Sequence, residues 1–188
     1  MIDRRGFLLG IAASAPAAFA GAAPLPSAKP DFFETVFEGL AIGRGRIKSG
    51  VVGLDRGFLV WTTGRHRGRD FELDQIFRFD DGKTDRRTWR FHRVAPGRWL
   101  GERQDLAAPA TVWIEGGAVR LSYDIWMRPA RRLTALRLHC EDRVTRLASG
   151  ALLSRGTIHR LGLPVGTVET HLIPEAGGAT STPRPSGR

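Results

Sequence analysis

The chain has 188 residues, enough for one domain of ordinary size with a sizeable core. Hydrophobic residues make up 41% of it, including five tryptophans and ten phenylalanines, and this composition excludes a wholly disordered chain. The formal net charge of +10 favours anionic partners, which for an exported protein are membrane phosphates and polysaccharides before nucleic acid. The alternative is that the excess positive charge reflects only arginines spread over solvent-exposed faces.

The first 20 residues, MIDRRGFLLGIAASAPAAFA, have the pattern of a signal peptide. Arg4 and Arg5 precede an apolar run that is too short and too rich in alanine and glycine for a stable membrane span. The paired arginines followed by Phe7 and Leu8 favour the twin-arginine export route over the general secretory route. We therefore expect cleavage after Ala20 and a periplasmic protein, either soluble or peripherally associated with the membrane.

Composition divides the rest of the chain into three parts. Residues 21–30 form a proline-rich linker, residues 31–174 a single folded domain, and residues 175–188 a polar tail that is predicted to be disordered. The single cysteine, Cys140, excludes an internal disulfide and lies in an apolar stretch, which favours a small buried residue over a nucleophile. No cysteine stands at the cleavage site, so lipid anchoring is not indicated.

Alternation with a period of two dominates the folded part. Phe71, Leu73, Gln75, Phe77 and Phe79 share one side of a strand whose other side is mostly polar. The turn sequence DDGKTD joins this strand to the next, so the two form a hairpin. The predicted strands are residues 37–47, 57–65, 71–79, 87–91, 98–106, 110–114, 119–127, 131–140, 143–148 and 166–173, and one helix is predicted at residues 151–161. These ten ranges are candidates, and together they indicate an all-β meander of about 8–9 strands, closed into a barrel or folded as a sandwich.

Small residues are concentrated on one face of the first strand. Gly39, Ala41, Gly43 and Gly45 fall on that face, where small side chains let a strand coil sharply and let other segments approach, as the closing of a barrel requires. A phosphate-binding loop is the alternative, but no lysine with serine or threonine follows and no helical pattern begins there.

Four segments together resemble a bacterial family of exported proteins known as domain of unknown function 3833. These segments are FFETVFEGLAIGRGRI, FELDQIFRFDDGKTDRRTW, GRWLGERQD and LLSRGTIHRLGLPVGTVETHL, and they cover most of residues 32–173. The resemblance implies a small antiparallel lipocalin-like (calycin) β-barrel, with the one short helix near its C-terminus, and it supplies no activity. Gln75 stands where the family pattern has a glutamate, which argues against an acid or base role at that position.

The alternation also predicts the lining of the barrel. Gln75 faces inward with the phenylalanines of its strand. Each of the next two strands also has a row of inward-facing residues, and these rows place arginines and an aspartate in an otherwise aromatic interior. Buried charge requires a partner, so Asp105 is expected to pair with an arginine. The predicted ligand-binding residues are Gln75, Arg87, Trp89, Trp99, Arg103 and Asp105.

Two interpretations of this cluster remain open. An apolar pocket with a few converging polar groups is the usual form of a small-molecule site, in which an arginine holds a carboxylate or phosphate head group. Alternatively, the barrel is filled by its own side chains, and Arg87 packs over Trp89 or bonds backbone carbonyls. An open apolar volume beside Arg87 would favour binding.

The sequence gives little support to catalysis. The five histidines show no metal-site spacing, no serine occupies a nucleophile elbow, and Asp80 and Asp81 precede Gly82 as turn residues, so neither a catalytic group nor a cofactor is predicted. A metal or haem held through a lone histidine is a minor alternative. The favoured function is a binding or carrier protein for a small amphipathic or anionic ligand, with no nucleic-acid partner. The alternatives are a basic envelope-associated protein that binds anionic membrane or polymer, and an isomerase or cyclase within a calycin barrel.

Overall fold

The computed structural model describes residues 32–50, 53–127 and 134–175. A short helix precedes ten strands, and every pair of consecutive strands is antiparallel. The elements are α1 (Phe32–Phe37), β1 (Gly39–Ser49), β2 (Leu54–Arg67), β3 (Asp70–Phe79), β4 (Thr84–Ala95), β5 (Arg98–Glu102), β6 (Ala110–Glu115), β7 (Ala118–Met127), β8 (Leu136–Arg146), β9 (Leu152–Arg160) and β10 (Leu163–Pro174). The predicted signal peptide, linker and most of the predicted tail lie outside the described residues.

The sheet closes on itself as a barrel, because β10 pairs with β1 from Ala41–Pro174 to Lys48–Thr167. The prediction of an all-β antiparallel barrel is therefore confirmed. Gly43 and Gly45 lie where residues of the neighbouring strands approach the backbone of β1 closely. A Cβ at Gly45 would lie 2.3 Å from the ring of Phe58, so the glycine lets that ring extend over β1 into the interior.

The helix and strand count of the prediction need correction. The helix predicted at residues 151–161 is the strand β9, and the structure has ten strands instead of 8–9. Two predicted strands, at 131–140 and 143–148, overlap with one strand, β8, and residues 131–133 lie outside the described residues. Ser154 and Gly156 explain the first error: both lie at inward positions of β9, where a small or polar residue hides the alternation of apolar side chains.

The helix of the structure lies at the other end of the domain sequence. α1 closes one end of the barrel, where Phe33 is completely buried and its ring lies 4.8 Å from the rings of both Phe91 and Trp99. Glu34 is also buried and accepts a hydrogen bond of 3.1 Å from the indole nitrogen of Trp99. α1 therefore fills this end of the barrel, and the open space lies between Phe33 and the opposite end. In the described part of the chain, no helix is long and apolar enough to cross a membrane.

Candidate functional site

A cavity runs through the barrel from the inner side of α1 to the opposite end. Its deeper part has a volume of about 150 Å³ and borders Phe33 and Phe37. Its outer part has a volume of about 350 Å³ and reaches Ser49 and Met127, at the strand ends opposite α1. The two parts adjoin, since both are lined by Ile47, Arg87, Arg103, Tyr123, Asp142 and Val168. Four polar side chains, those of Arg87, Arg103, Tyr123 and Asp142, thus lie where the two parts of the cavity meet.

The side chain of Arg103 is deeply buried, with only 4% of it exposed. Its guanidinium lies 4.2 Å from the ring centre of Trp89 and forms two hydrogen bonds to Asp105, of which the Nη2–Oδ2 bond measures 2.9 Å. The connection between β5 and β6 positions this pair, because the backbone nitrogen of Trp126 donates to the carbonyl of Asp105 at 2.9 Å. Buried in this way, the pair is satisfied by both charge and hydrogen bonding.

Arg87 and its neighbour Arg86 point to opposite sides of β4. Arg86 is 69% exposed on the outer face, whereas Arg87 lines the cavity and its guanidinium lies 4.8 Å from the ring centre of Phe77. Asp85 accepts a hydrogen bond of 2.8 Å from Nε of Arg87. A guanidinium has five N–H donors, so this bond leaves donors for a second anion. Gln75 is paired with Arg87 across the β3–β4 ladder and lines the deeper part of the cavity.

Asp142 is a further carboxylate on the cavity wall. Its Oδ2 accepts a hydrogen bond of 2.8 Å from the hydroxyl of Tyr123. Its Oδ1 lies over Gly156, where a Cβ would be only 2.1 Å away, so the glycine of β9 makes room for the carboxylate. Burial raises the pKa of Asp142 to about 6, although the bond from Tyr123 and the charges of Arg103 and Arg87 act in the opposite direction. Burial, followed by the charge of Asp142, raises the pKa of Tyr123 well above its usual value.

The structure brings four of the six predicted ligand-binding residues to one cavity. Gln75, Arg87, Trp89 and Arg103 line its deeper part. Trp99 lies instead at the closed end, 1% exposed and bonded to Glu34. Asp105 is the partner of Arg103 and does not line either part of the cavity. Predicted strand 98–106 is shorter in the structure, since β5 ends at Glu102 and the following residues turn back towards β7.

Sequence reasoning missed Asp142 as a site residue because it divided β8 into two strands on either side of this position. A single strand gives the inward series Leu136, Leu138, Cys140, Asp142 and Val144, and this unbroken alternation is the signal that reveals a carboxylate inside the barrel. Tyr123 lines the cavity but was not among the predicted site residues. Gly156 was not recognised as an inward position because residues 151–161 were predicted to be a helix.

No group of three or more histidine, cysteine, aspartate or glutamate residues in the described ranges is arranged to hold a metal ion. Cys140 is buried, and burial raises the pKa of its thiol to about 12, so the thiol is protonated and unreactive at neutral pH. The groups with chemistry to offer a ligand are therefore the arginines, Tyr123 and Asp142.

The fold and its interior cavity define a lipocalin-like barrel of the calycin class. An S-type phycobiliprotein lyase from Guillardia theta has a TM-score of 0.58 at 7% identity, over 78% of this chain and 92% of that one. Rv2717c from M. tuberculosis has a TM-score of 0.54 at 16% identity, over 76% of this chain and 94% of that one. Both identities are low, so these likenesses concern the fold alone.

Residues 7–173 match the family described as "Protein of unknown function (DUF3833)". The chain therefore belongs to the DUF3833 family, as its segments suggested. A comparison with curated proteins gives no match.

Proposed function

We propose that the protein binds a small amphipathic anion inside the barrel, with its apolar part in the deeper cavity and its head group beside Arg87. The observation that supports this most directly is the open space of about 350 Å³ that reaches Arg87, Arg103 and Asp142 from the end of the barrel opposite α1. Small-molecule sites are commonly clefts of about this size, mainly apolar and with a few polar groups that fix the orientation of the ligand.

The aromatic walls and the guanidinium of Arg87 contact different parts of the ligand. Phe58, Phe77 and Trp89 provide apolar surface along the deeper part, where a space of about 150 Å³ accommodates a short alkyl or aryl group. Among the described residues, Arg87 donates to Asp85 through Nε, so its other nitrogens can receive the oxygens of a carboxylate, sulfonate or phosphate. An apolar tail alone would leave these donors without a partner.

Binding of decanesulfonate, followed by the tryptophan fluorescence of the purified protein, tests this function. Decanol is the uncharged comparison with the same chain length. Arg87→Gln is expected to weaken decanesulfonate binding about 10- to 100-fold, because a hydrogen bond to a charged group contributes roughly 1.5–3 kcal/mol. Arg86→Gln is the matched control, since this neighbouring arginine faces outward, and it is expected to bind as the wild type does. Equal weakening by both variants, or no response to any alkyl anion, would contradict the proposal.

A second candidate function concerns the outer face of β2, β3 and β4. A groove of about 660 Å³ on this face is lined by Trp61 and Ile76 together with Arg65, Arg67, Arg78 and Arg86. The guanidinium of Arg78 lies 5.6 Å from the ring of Trp61. We infer from this arrangement a site for an anionic polymer chain, because apolar and cationic side chains line the same groove, which an extended chain can enter. The charge of the groove is moderate, since Asp74 neutralises Arg65 at 2.8 Å.

Retention on an immobilised acidic polysaccharide, compared with sedimentation on vesicles of anionic phospholipid, tests the second function. Retention on the polysaccharide is expected to fall steeply between about 0.05 and 0.3 M salt, where exposed charges become screened. The double variant Arg78→Gln, Arg86→Gln is expected to lose most of it. Salt-independent retention argues against this electrostatic account, and binding to the vesicles alone favours a membrane surface in place of a polymer.

A further inference from the structure

The arginines of the cavity already have carboxylate partners. The three pairs are Arg56 with Asp81, Arg87 with Asp85 at 2.8 Å, and Arg103 with Asp105 at 2.9 Å. Lys83 adds one positive charge at the open end, at 3.6 Å from Asp81. Within the described part of the chain, Asp142 forms no ion pair and has the neutral hydroxyl of Tyr123 as its hydrogen-bond partner. With Asp142 ionised, these four cations and four carboxylates balance.

An anion that enters this cavity disturbs the balance. Its head group and the Asp142 carboxylate share a space with apolar walls, where two like charges repel more strongly than they do in water. A protonated Asp142 removes this repulsion and gains a donor, since a neutral carboxyl group offers one O–H. Tyr123 can continue to donate to the other oxygen of the same group.

We propose that the ligand binds together with one proton that Asp142 takes up, and that the site thereby selects oxyanions able to accept a hydrogen bond from a carboxylic acid. The inference rests on the proposed function, because it concerns the same cavity and the same head group. It assigns the ligand class by its charge and by its acceptor oxygens. A cationic or purely apolar ligand has no use for the protonated form.

The groups around Asp142 support this role. Tyr123 of β7 donates to it, Arg103 from the β5–β6 connection and Arg87 of β4 act on it through their charges, and Cys140 lies two residues earlier on β8. Gly156 of β9 and Val168 of β10 place no charge beside it. Arg87, Arg103 and Asp142 are therefore the charged groups that line the cavity at this point, and Asp85 and Asp105 are the partners of the two arginines.

The direction of the pH dependence follows from linkage. In the empty barrel the pKa of Asp142 is about 6, and a nearby anion raises it further. Affinity is then highest below about pH 6, where the carboxyl group is protonated before binding, and falls as the pH rises towards the pKa of the complex. Uptake of one proton corresponds to a decrease of up to about tenfold in affinity for each pH unit in that interval.

Decanesulfonate is the appropriate probe, because a sulfonate stays ionised throughout and any bound proton belongs to the protein. Its affinity is measured between about pH 5 and pH 9 for the wild type and for Asp142→Asn, which retains an acceptor for Tyr123 but does not titrate. The wild-type affinity is expected to fall with rising pH above pH 6, and the affinity of Asp142→Asn to change little. Glu141→Gln is the matched control on the same strand, because Glu141 is exposed and faces outward. It is expected to keep the wild-type pH dependence.

Calorimetry of the wild type in two buffers with different ionisation enthalpies counts the protons directly, so the test does not depend on a variant. Uptake of about one proton near pH 7 is expected. Binding with no proton uptake, or affinity that increases with pH, would overturn this inference and leave the proposed binding function intact. The absence of binding at every pH would instead refute the binding function itself.

Discussion

Replacing Asp142 with asparagine is predicted to stabilise the fold progressively as the pH rises from about 4 to about 7. The pKa of Asp142 is raised by burial from 3.8 to about 6, so the folded protein holds this proton more tightly than the unfolded chain does. A group of this kind contributes stability that is fully present below its unfolded pKa and is lost as the pH rises through its folded pKa. The loss corresponds to about 3 kcal/mol.

Urea unfolding, followed by tryptophan fluorescence at a series of pH values, measures the effect. The quantity to compare is the free energy of unfolding of Asp142→Asn minus that of the wild type at the same pH. The asparagine keeps an acceptor for Tyr123 but adds an amide donor that needs its own partner, which offsets the gain by about 1 kcal/mol at every pH. The change of the difference with pH, about 3 kcal/mol, is independent of that offset.

Asp124→Asn is the matched control, because Asp124 is next to Tyr123 on β7 but lies on the outer face. The hydrogen bond from Arg137, followed by that from His139, lowers the pKa of Asp124, so its charge stabilises the fold at neutral pH and this contribution is lost as the pH falls. The control difference is therefore expected to have the opposite slope. A flat difference for Asp142→Asn between about pH 4 and pH 7, or one that declines as the pH rises, would refute the reasoning about its burial.

Three further predictions concern the filled end of the barrel and the thiol. Phe33→Ala is expected to lower the free energy of unfolding by about 3–5 kcal/mol in urea titrations, because it removes a fully buried ring from the closing helix. Trp99→Phe, which removes the donor to Glu34, is expected to cost about 1–2 kcal/mol in the same assay, and a neutral result would mean that this bond contributes nothing. Cys140 is expected to react with a disulfide reagent at pH 8 only as fast as the protein unfolds, given a thiol pKa of about 12; rapid reaction of the native protein would contradict its burial.

Most strands were predictable from alternating apolar and polar side chains, and β1 also from the small residues on one of its faces, but β9 was not. The alternation of Phe71, Leu73, Phe77 and Phe79 identified β3, because each inward position carries a large apolar side chain. β9 presents Ser154 and Gly156 to the interior, so its hydrophobic pattern no longer has a period of two. The physical cause is the cavity itself, since positions that face an open polar space or a neighbouring carboxylate cannot carry bulky apolar groups.

The polar site was predictable as far as strand parity extends. Arg87 and Trp89 follow from the alternation of β4, and so does the opposite orientation of Arg86. The position of Asp105 depends on where β5 ends, and the sequence does not indicate that end because no glycine or proline stands between Glu102 and Asp105. The proximity of Asp142 to Arg87 depends on the three-dimensional closure of the barrel. Closure brings β8 opposite β4, although these two strands are not paired with each other.

The two halves of the barrel interior differ, and the difference distinguishes an interior that only packs from one that binds a ligand. At the closed end, Phe33, Phe91 and Trp99 fill the space with apolar side chains, which is how a small barrel obtains its stability. Towards the open end, Asp142 and Arg103 keep buried charge in a site where apolar residues of similar volume would often be neutral or stabilising. A purely structural interior does not account for an ionisable carboxyl group without a charged partner beside an open space. If Asp142→Asn is more stable than the wild type at neutral pH and has lost the pH dependence of anion binding, the carboxyl group is retained for the ligand and not for the fold.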